Sequence, residues 1–119
     1  MSSELVDVIY EDALCRVECV KLPGMVWAGI TVECPPQNDV ERGYGYSPHR
    51  AALIACSRHG RLLDAEGEPI KNPDWDALFM SNGAQIIDIA SAWWTLNVNA
   101  QRQKLNALKK ALAAGTTTS

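Results

Sequence analysis

Apolar and polar positions change rhythm about a third of the way along the chain. The early part alternates. Residues 5–10 (LVDVIY) are rich in β-branched side chains, and in residues 14–22 (LCRVECVKL) Cys15, Val17 and Cys19 fall on one side while Arg16 and Glu18 fall on the other. That period of two is the signature of a half-buried strand. Leu22-Pro23-Gly24-Met25 has the residues of a turn. Residues 25–34 (MVWAGITVEC) then predict a further strand with Val26, Ala28, Ile30 and Val32 on one face, stopped by Pro35-Pro36. Together these segments predict a small antiparallel sheet of two or three strands. Residues 37–46, polar and carrying Gly43 and Gly45 around Tyr44, read as a loop.

From Ser47 onward the pattern is helical. Ser47-Pro48 offers an N-cap followed by proline at the first helical position, so a helix is expected to run to His59 and end at Gly60. Residues 61–71 form a link holding the turn Asp64-Ala65-Glu66-Gly67. Asn72-Pro73 repeats the start signal, with Asp74 and Asp76 placed to oppose the helix dipole, and residues 73–80 present Trp75, Leu78 and Phe79. Ser81-Asn82-Gly83 breaks that helix. The next begins near Ala84 and carries Ile86, Ile87, Ile89, Ala90, Trp93, Trp94 and Leu96 as a broad apolar surface. Beyond Asn97-Val98-Asn99, Leu105, Leu108 and Leu112 recur at i, i+3 and i+7. The run from Gly115 to the end reads as a disordered tail. The expected fold is therefore α+β, a small N-terminal antiparallel β-sheet followed by a mainly helical C-terminal part. Residues 1–100 form a single domain, and residues 101–119 a basic amphipathic helix with a disordered end.

At 119 residues and 47% apolar content the chain can build one core. No apolar run approaches the length of a membrane span, and the first residues lack the charged-then-apolar pattern of a signal peptide. Reduced thiols are therefore expected at Cys15, Cys19, Cys34 and Cys56, as in the cytoplasm. The net charge of −3 is mild but unevenly spread: the first 88 residues hold all 14 acids and seven bases, whereas the last 31 hold Arg102, Lys104, Lys109 and Lys110 and no acid.

Candidate chemistry is thin. Cys15 and Cys19, four apart on a strand, stand too far from each other to share a zinc ion, and His49 and His59 sit near opposite ends of one helix. Cys56 and His59 are i, i+3 on that helix, but no third group orients them as a nucleophile and base. The acids from Asp64 to Asp76 lack the spacing of a calcium loop, and Gly43-Tyr44-Gly45 lacks the rest of a phosphate-binding motif. An acidic chain whose basic tail has no interleaved aromatics argues against nucleic-acid binding. No catalytic residue, metal ligand or cofactor is expected. Aromatic and leucine side chains beyond what a small core absorbs point instead to protein binding, with Trp75, Phe79, Trp93 and Trp94 on the body and Leu105, Leu108 and Leu112 on the tail helix as the binding residues.

One resemblance bears on the partner. Pro35-Pro36, Ala52-Leu53-Ile54-Ala55-Cys56, Pro73-Asp74-Trp75-Asp76-Ala77-Leu78-Phe79 and Trp94-Thr95-Leu96-Asn97 follow one another in an order that resembles the tail assembly chaperones of long-tailed, siphovirus-type bacteriophages, especially those infecting actinobacteria. It covers residues 32–97. The chain departs from the usual pattern in its long link, which contains Gly67 and Pro69, and in its paired tryptophans. The resemblance implies a non-enzymatic protein of the host cytoplasm that binds the tape measure protein, helps recruit tail tube protein and is absent from the mature virion. Many chaperones of that family are made in two lengths by programmed ribosomal frameshifting, and by this resemblance the present chain would be a short form. Self-association into a homo-oligomer through the same apolar surfaces is a further expectation. A structural virion protein, such as a tail-completion or connector subunit, is the alternative.

Overall fold

A computed structural model describes the backbone of residues 3–118 and the side chains of residues 3–114. Two strands open the chain, β1 (Ser3–Tyr10) and β2 (Ala13–Val20), paired antiparallel with Val6 opposite Val17 and Val8 opposite Cys15. Their two-residue connection, Glu11-Asp12, holds both residues at positive φ (51° and 62°), the geometry that matches the twist of a tight hairpin. Alternation then sorts the side chains. Val8, Cys15, Val17 and Cys19 are buried beneath the sheet, while Leu5, Ile9 and Leu14 remain exposed above it, beside the Asp7–Arg16 ion pair.

Residues 25–34, expected as a strand, are helical. Helix α1 (Gly24–Glu33) starts at Pro23, whose carbonyl accepts from the amides of Val26 and Trp27. The period that decides is Trp27, Ile30 and Cys34, all buried, rather than the alternation of Val26, Ala28, Ile30 and Val32. β-Branched content is a weak local preference, and packing of a helical stripe overrides it. The sheet order is β1-β2-β3, with Leu62 of the short β3 (Arg61–Leu63) opposite Val17, so β3 takes the second edge of β2.

The expected loop at residues 37–46 contains helix α2 (Asp39–Tyr44). Asn38 caps it by accepting from the Glu41 amide at 2.9 Å, and Glu41 reaches back to accept from the Gln37 amide at 2.7 Å. This is close to a reciprocal capping box. Gly45, at φ +88°, closes the helix in the left-handed conformation that glycine adopts without strain.

Helix α3 (Pro48–His59) lies where the sequence placed it and buries Ala51, Ala52, Ala55 and Cys56. Gly60 follows, and a Cβ there would meet the Cys56 Cα at 2.9 Å, so only glycine lets the chain turn so closely into β3. The link expected at residues 61–71 thus holds β3 as well as the turn, in which Asp64 accepts from the amides of Glu66 and Glu68. Helix α4 (Trp75–Ser81) begins two residues later than Pro73, because Asp74 is the cap: its carboxylate accepts from the Ala77 amide at 3.0 Å.

Helix α5 (Gly83–Trp94) runs against both α3 and the sheet. A π-helical turn (Thr95–Asn99) joins it without a break to α6 (Ala100–Thr118). The disordered end expected from Gly115 is not seen in the backbone, which stays helical through Thr118; Ser119 lies outside the described residues. The observed architecture is α+β, a three-stranded antiparallel sheet followed by helices.

Candidate functional site

Two side chains fasten the α5 end of the molecule to the strands, and both act as substitutes for missing backbone partners. Gln85 accepts from the Ile9 amide at 2.5 Å and faces the Ile9 carbonyl with its Nε2, completing one link on the free edge of β1. Asn97, in the π turn, accepts from the Leu22 amide at 2.7 Å and donates to the carbonyls of Val20 and Trp93 at 3.1 and 3.0 Å. The extra residue of a π turn frees carbonyls of the preceding helix, and here a side chain takes up that of Trp93. Where α5 ends and α6 departs is thereby fixed.

Trp93 is fully buried and donates its indole N–H to Cys56 Sγ at 3.3 Å. It is a core residue, as is Phe79, so neither presents a binding surface as the sequence suggested. Trp94, turned about 100° away on the helix, is half-buried and meets Tyr44 edge-on, with ring centroids 6.2 Å apart and planes at 88°. Trp75 is also half-buried, but it lines a separate depression beside Ser57 and Leu62. Trp94 instead lines a cleft with His49, so the two tryptophans stand by opposite ends of α3. The four aromatics expected as binding residues on the body are therefore not brought together.

What the fold does assemble is an open, mostly apolar cleft of about 480 Å³ between α2, the start of α3 and α5. Val40 and Tyr44 on α2 face Ile87, Ala90 and Trp94 on α5. Val40 is 74% exposed and Ile87 59%, unusual values for aliphatic side chains in a concave site. No residue of α2 is buried, so the helix stands off the body as one wall of the cleft. It is held there by Glu41, which accepts from the hydroxyl of buried Ser47 at 3.0 Å, and by the Tyr44–Trp94 contact. Val40 and Tyr44 were missed from the sequence because residues 37–46 read as a loop, and Ile87 was read as part of a broad apolar helix surface without being singled out as a binding residue. The signal that was present is Asn38 followed at three residues by Glu41, a helix-start pattern.

A second apolar surface lies on α6. Leu105, Leu108 and Leu112 are 52%, 59% and 70% exposed, and the main packing of their helix among the described residues is against the π turn from which it grows. Nineteen residues long, it carries the longest dimension of the molecule to 60 Å.

No known protein family, characterised protein or solved structure matches this chain.

The thiols are placed for packing. All four cysteines are free and buried, and burial pushes the Cys19 thiol well up and that of Cys56 to about 12. Neither supplies a thiolate near neutral pH. His49 and His59 are exposed, and among the described residues no cluster of three or more His, Cys, Asp or Glu side chains is arranged to hold a metal ion. Every buried side-chain nitrogen or oxygen among them has a hydrogen-bond partner. No helix of the described residues is long and apolar enough to cross a membrane.

Proposed function

We propose that this protein is a tail assembly chaperone of a long-tailed bacteriophage, acting in the host cytoplasm by holding amphipathic helical segments of the tape measure protein while tail tube protein is recruited. The observation that carries the reading is the pair of unpartnered apolar surfaces: the cleft between α2 and α5, and the leucine seam of α6. Helix-in-groove recognition uses anchors at i, i+3, i+4 and i+7, and an open apolar cleft walled by two helices suits such a ligand. The order of motifs across residues 32–97 supplies the identity of the client, since it resembles that of tail assembly chaperones.

Co-expression with the tape measure protein of the same phage tests this. The expected result is a soluble complex that co-purifies, and loss of that complex when Ile87 or Val40 is replaced by Asp. A tape measure protein that stays insoluble and unbound beside the wild-type chain would overturn the proposal. Mass spectrometry of purified particles separates it from the structural-protein alternative, because a chaperone is missing from them and a connector subunit is present.

A further inference from the structure

The leucine seam of α6 matches the α2–α5 cleft in spacing and in charge. Leu105, Leu108 and Leu112 stand at i, i+3 and i+7, the anchor spacing that a groove between helices accepts. At about 100° per residue, Lys104 lies to one side of that seam and Lys109 and Arg102 to the other, each within roughly 90° of it. The seam is thus apolar with cationic borders. The cleft is bordered by Glu41 and, on the exposed side of α5, by Asp88, while Asp39 and Arg42 on α2 neutralise each other and His49 also lines it. At the scale of the whole chain the same opposition holds, since every acid lies in the first 88 residues and the last 31 carry only bases.

The seam cannot reach the cleft of its own chain in this fold. α6 continues α5 through the π turn, and Trp94 already lies at the cleft. Leu105 to Leu112 therefore stand about 16 to 27 Å farther along a helical path, at 1.5 Å per residue. Filling its own cleft would require the helix to break at the π turn and to give up the bonds of Asn97 to Leu22 and Val20.

The geometry points to a second copy of this chain as the occupant: α6 of one copy docks its Leu105/Leu108/Leu112 face in the α2–α5 cleft of another. Each copy offers both a helix and a cleft, so reciprocal exchange closes a two-fold dimer and one-way docking propagates a chain of copies. The inference rests on the cleft being a helix-docking surface, the same surface proposed for the client. Self-association then covers the client site until a client helix displaces the neighbour's tail.

Mixing two full-length variants tests it. One carries Ile87→Cys; the other carries Leu108→Cys and an added tag, so that the mixed product separates by size. Both positions are exposed, and the four native cysteines are buried and do not compete. Under mild oxidation the mixed disulfide is expected to form faster and in higher yield than either like-with-like product. Like-with-like products that equal or exceed it would overturn the inference. So would a chain carrying both substitutions that closes mainly on itself, since its own tail would then be the occupant. In sedimentation, Leu105→Asp with Leu112→Asp is expected to weaken association by an order of magnitude or more while circular dichroism retains the folded body. A wild-type chain that stays monomeric at high micromolar concentration would also overturn it. Copies that associate without binding the tape measure protein leave this inference standing and remove the proposed function. A monomer that binds the client does the reverse.

Discussion

Replacing Trp93 and Trp94 one at a time separates adjacent residues that composition treats alike. Trp93 has no exposed surface and donates to Cys56 Sγ; Trp94 is half-buried at a cleft wall against Tyr44. An indole of this size buries roughly 150–250 Å², worth about 4–6 kcal/mol at 25 cal/mol per Å² as an upper bound. Measured losses for such truncations in cores run to about 3–5 kcal/mol. Trp93→Ala is expected in that range. It leaves a cavity at the centre of the α3–α5 contact and removes the N–H that Cys56 accepts. Trp94→Ala forfeits about half the area, and so about half that loss, roughly 1.5–2.5 kcal/mol. Urea unfolding followed by far-ultraviolet circular dichroism is the suitable assay, because tryptophan fluorescence changes with the substitution itself. With a urea slope of roughly 1.5 kcal/mol per molar, the Trp93 variant loses about 2–3 M in midpoint and the Trp94 variant about 1–1.7 M. The association and client-binding assays should show the opposite order among variants that stay folded, with Trp94→Ala impaired. Equal loss of stability for the two variants would refute the division into a core and a cleft tryptophan.

Other expectations follow from individual bonds. Asn97→Ala strips the Leu22 amide and the Val20 carbonyl of their partner, with an expected cost of about 1–3 kcal/mol and faster hydrogen exchange at the Leu22 amide. Glu11→Asn with Asp12→Gly puts residues that tolerate positive φ where both now sit at it, and should raise stability by about 1 kcal/mol in thermal unfolding. The Arg58 guanidinium donates to Glu33 at 2.6 and 2.8 Å and holds that carboxyl below its ordinary range, first through the hydrogen bonds and then by charge. A depressed carboxyl contributes stability above its unfolded value, and that contribution is lost as pH falls through the folded value. The Glu33 titration followed by NMR should therefore move up in Arg58→Ala, and the pH dependence of stability should flatten on the acid side.

The alternating pattern of the first 22 residues was enough to identify the β1–β2 pair and its buried face, because a half-exposed hairpin sorts its side chains two by two. The same was true of α3, whose proline start and glycine stop are local chemistry, and of the Ser81-Asn82-Gly83 break. The α1 segment went the other way. Its valines and isoleucine favour extension only weakly, and the requirement to bury Trp27, Ile30 and Cys34 together outweighed that preference. The short β3 carries no signal of its own and exists because β2 has a second edge to satisfy.

The candidate site divides in the same way. The leucine seam was readable, since i, i+3, i+7 spacing on a basic helix needs only the helix to form. The tryptophans were readable as a group but not as individuals: one residue step rotates a side chain by about 100°, and only the packed position of α5, set by Asn97 and Gln85 reaching across to the strands, sends Trp93 inward and Trp94 to the cleft. The cleft itself belongs to the tertiary structure. Its walls lie nearly 50 residues apart in sequence, and nothing local to Val40 or Ile87 states that the other is near.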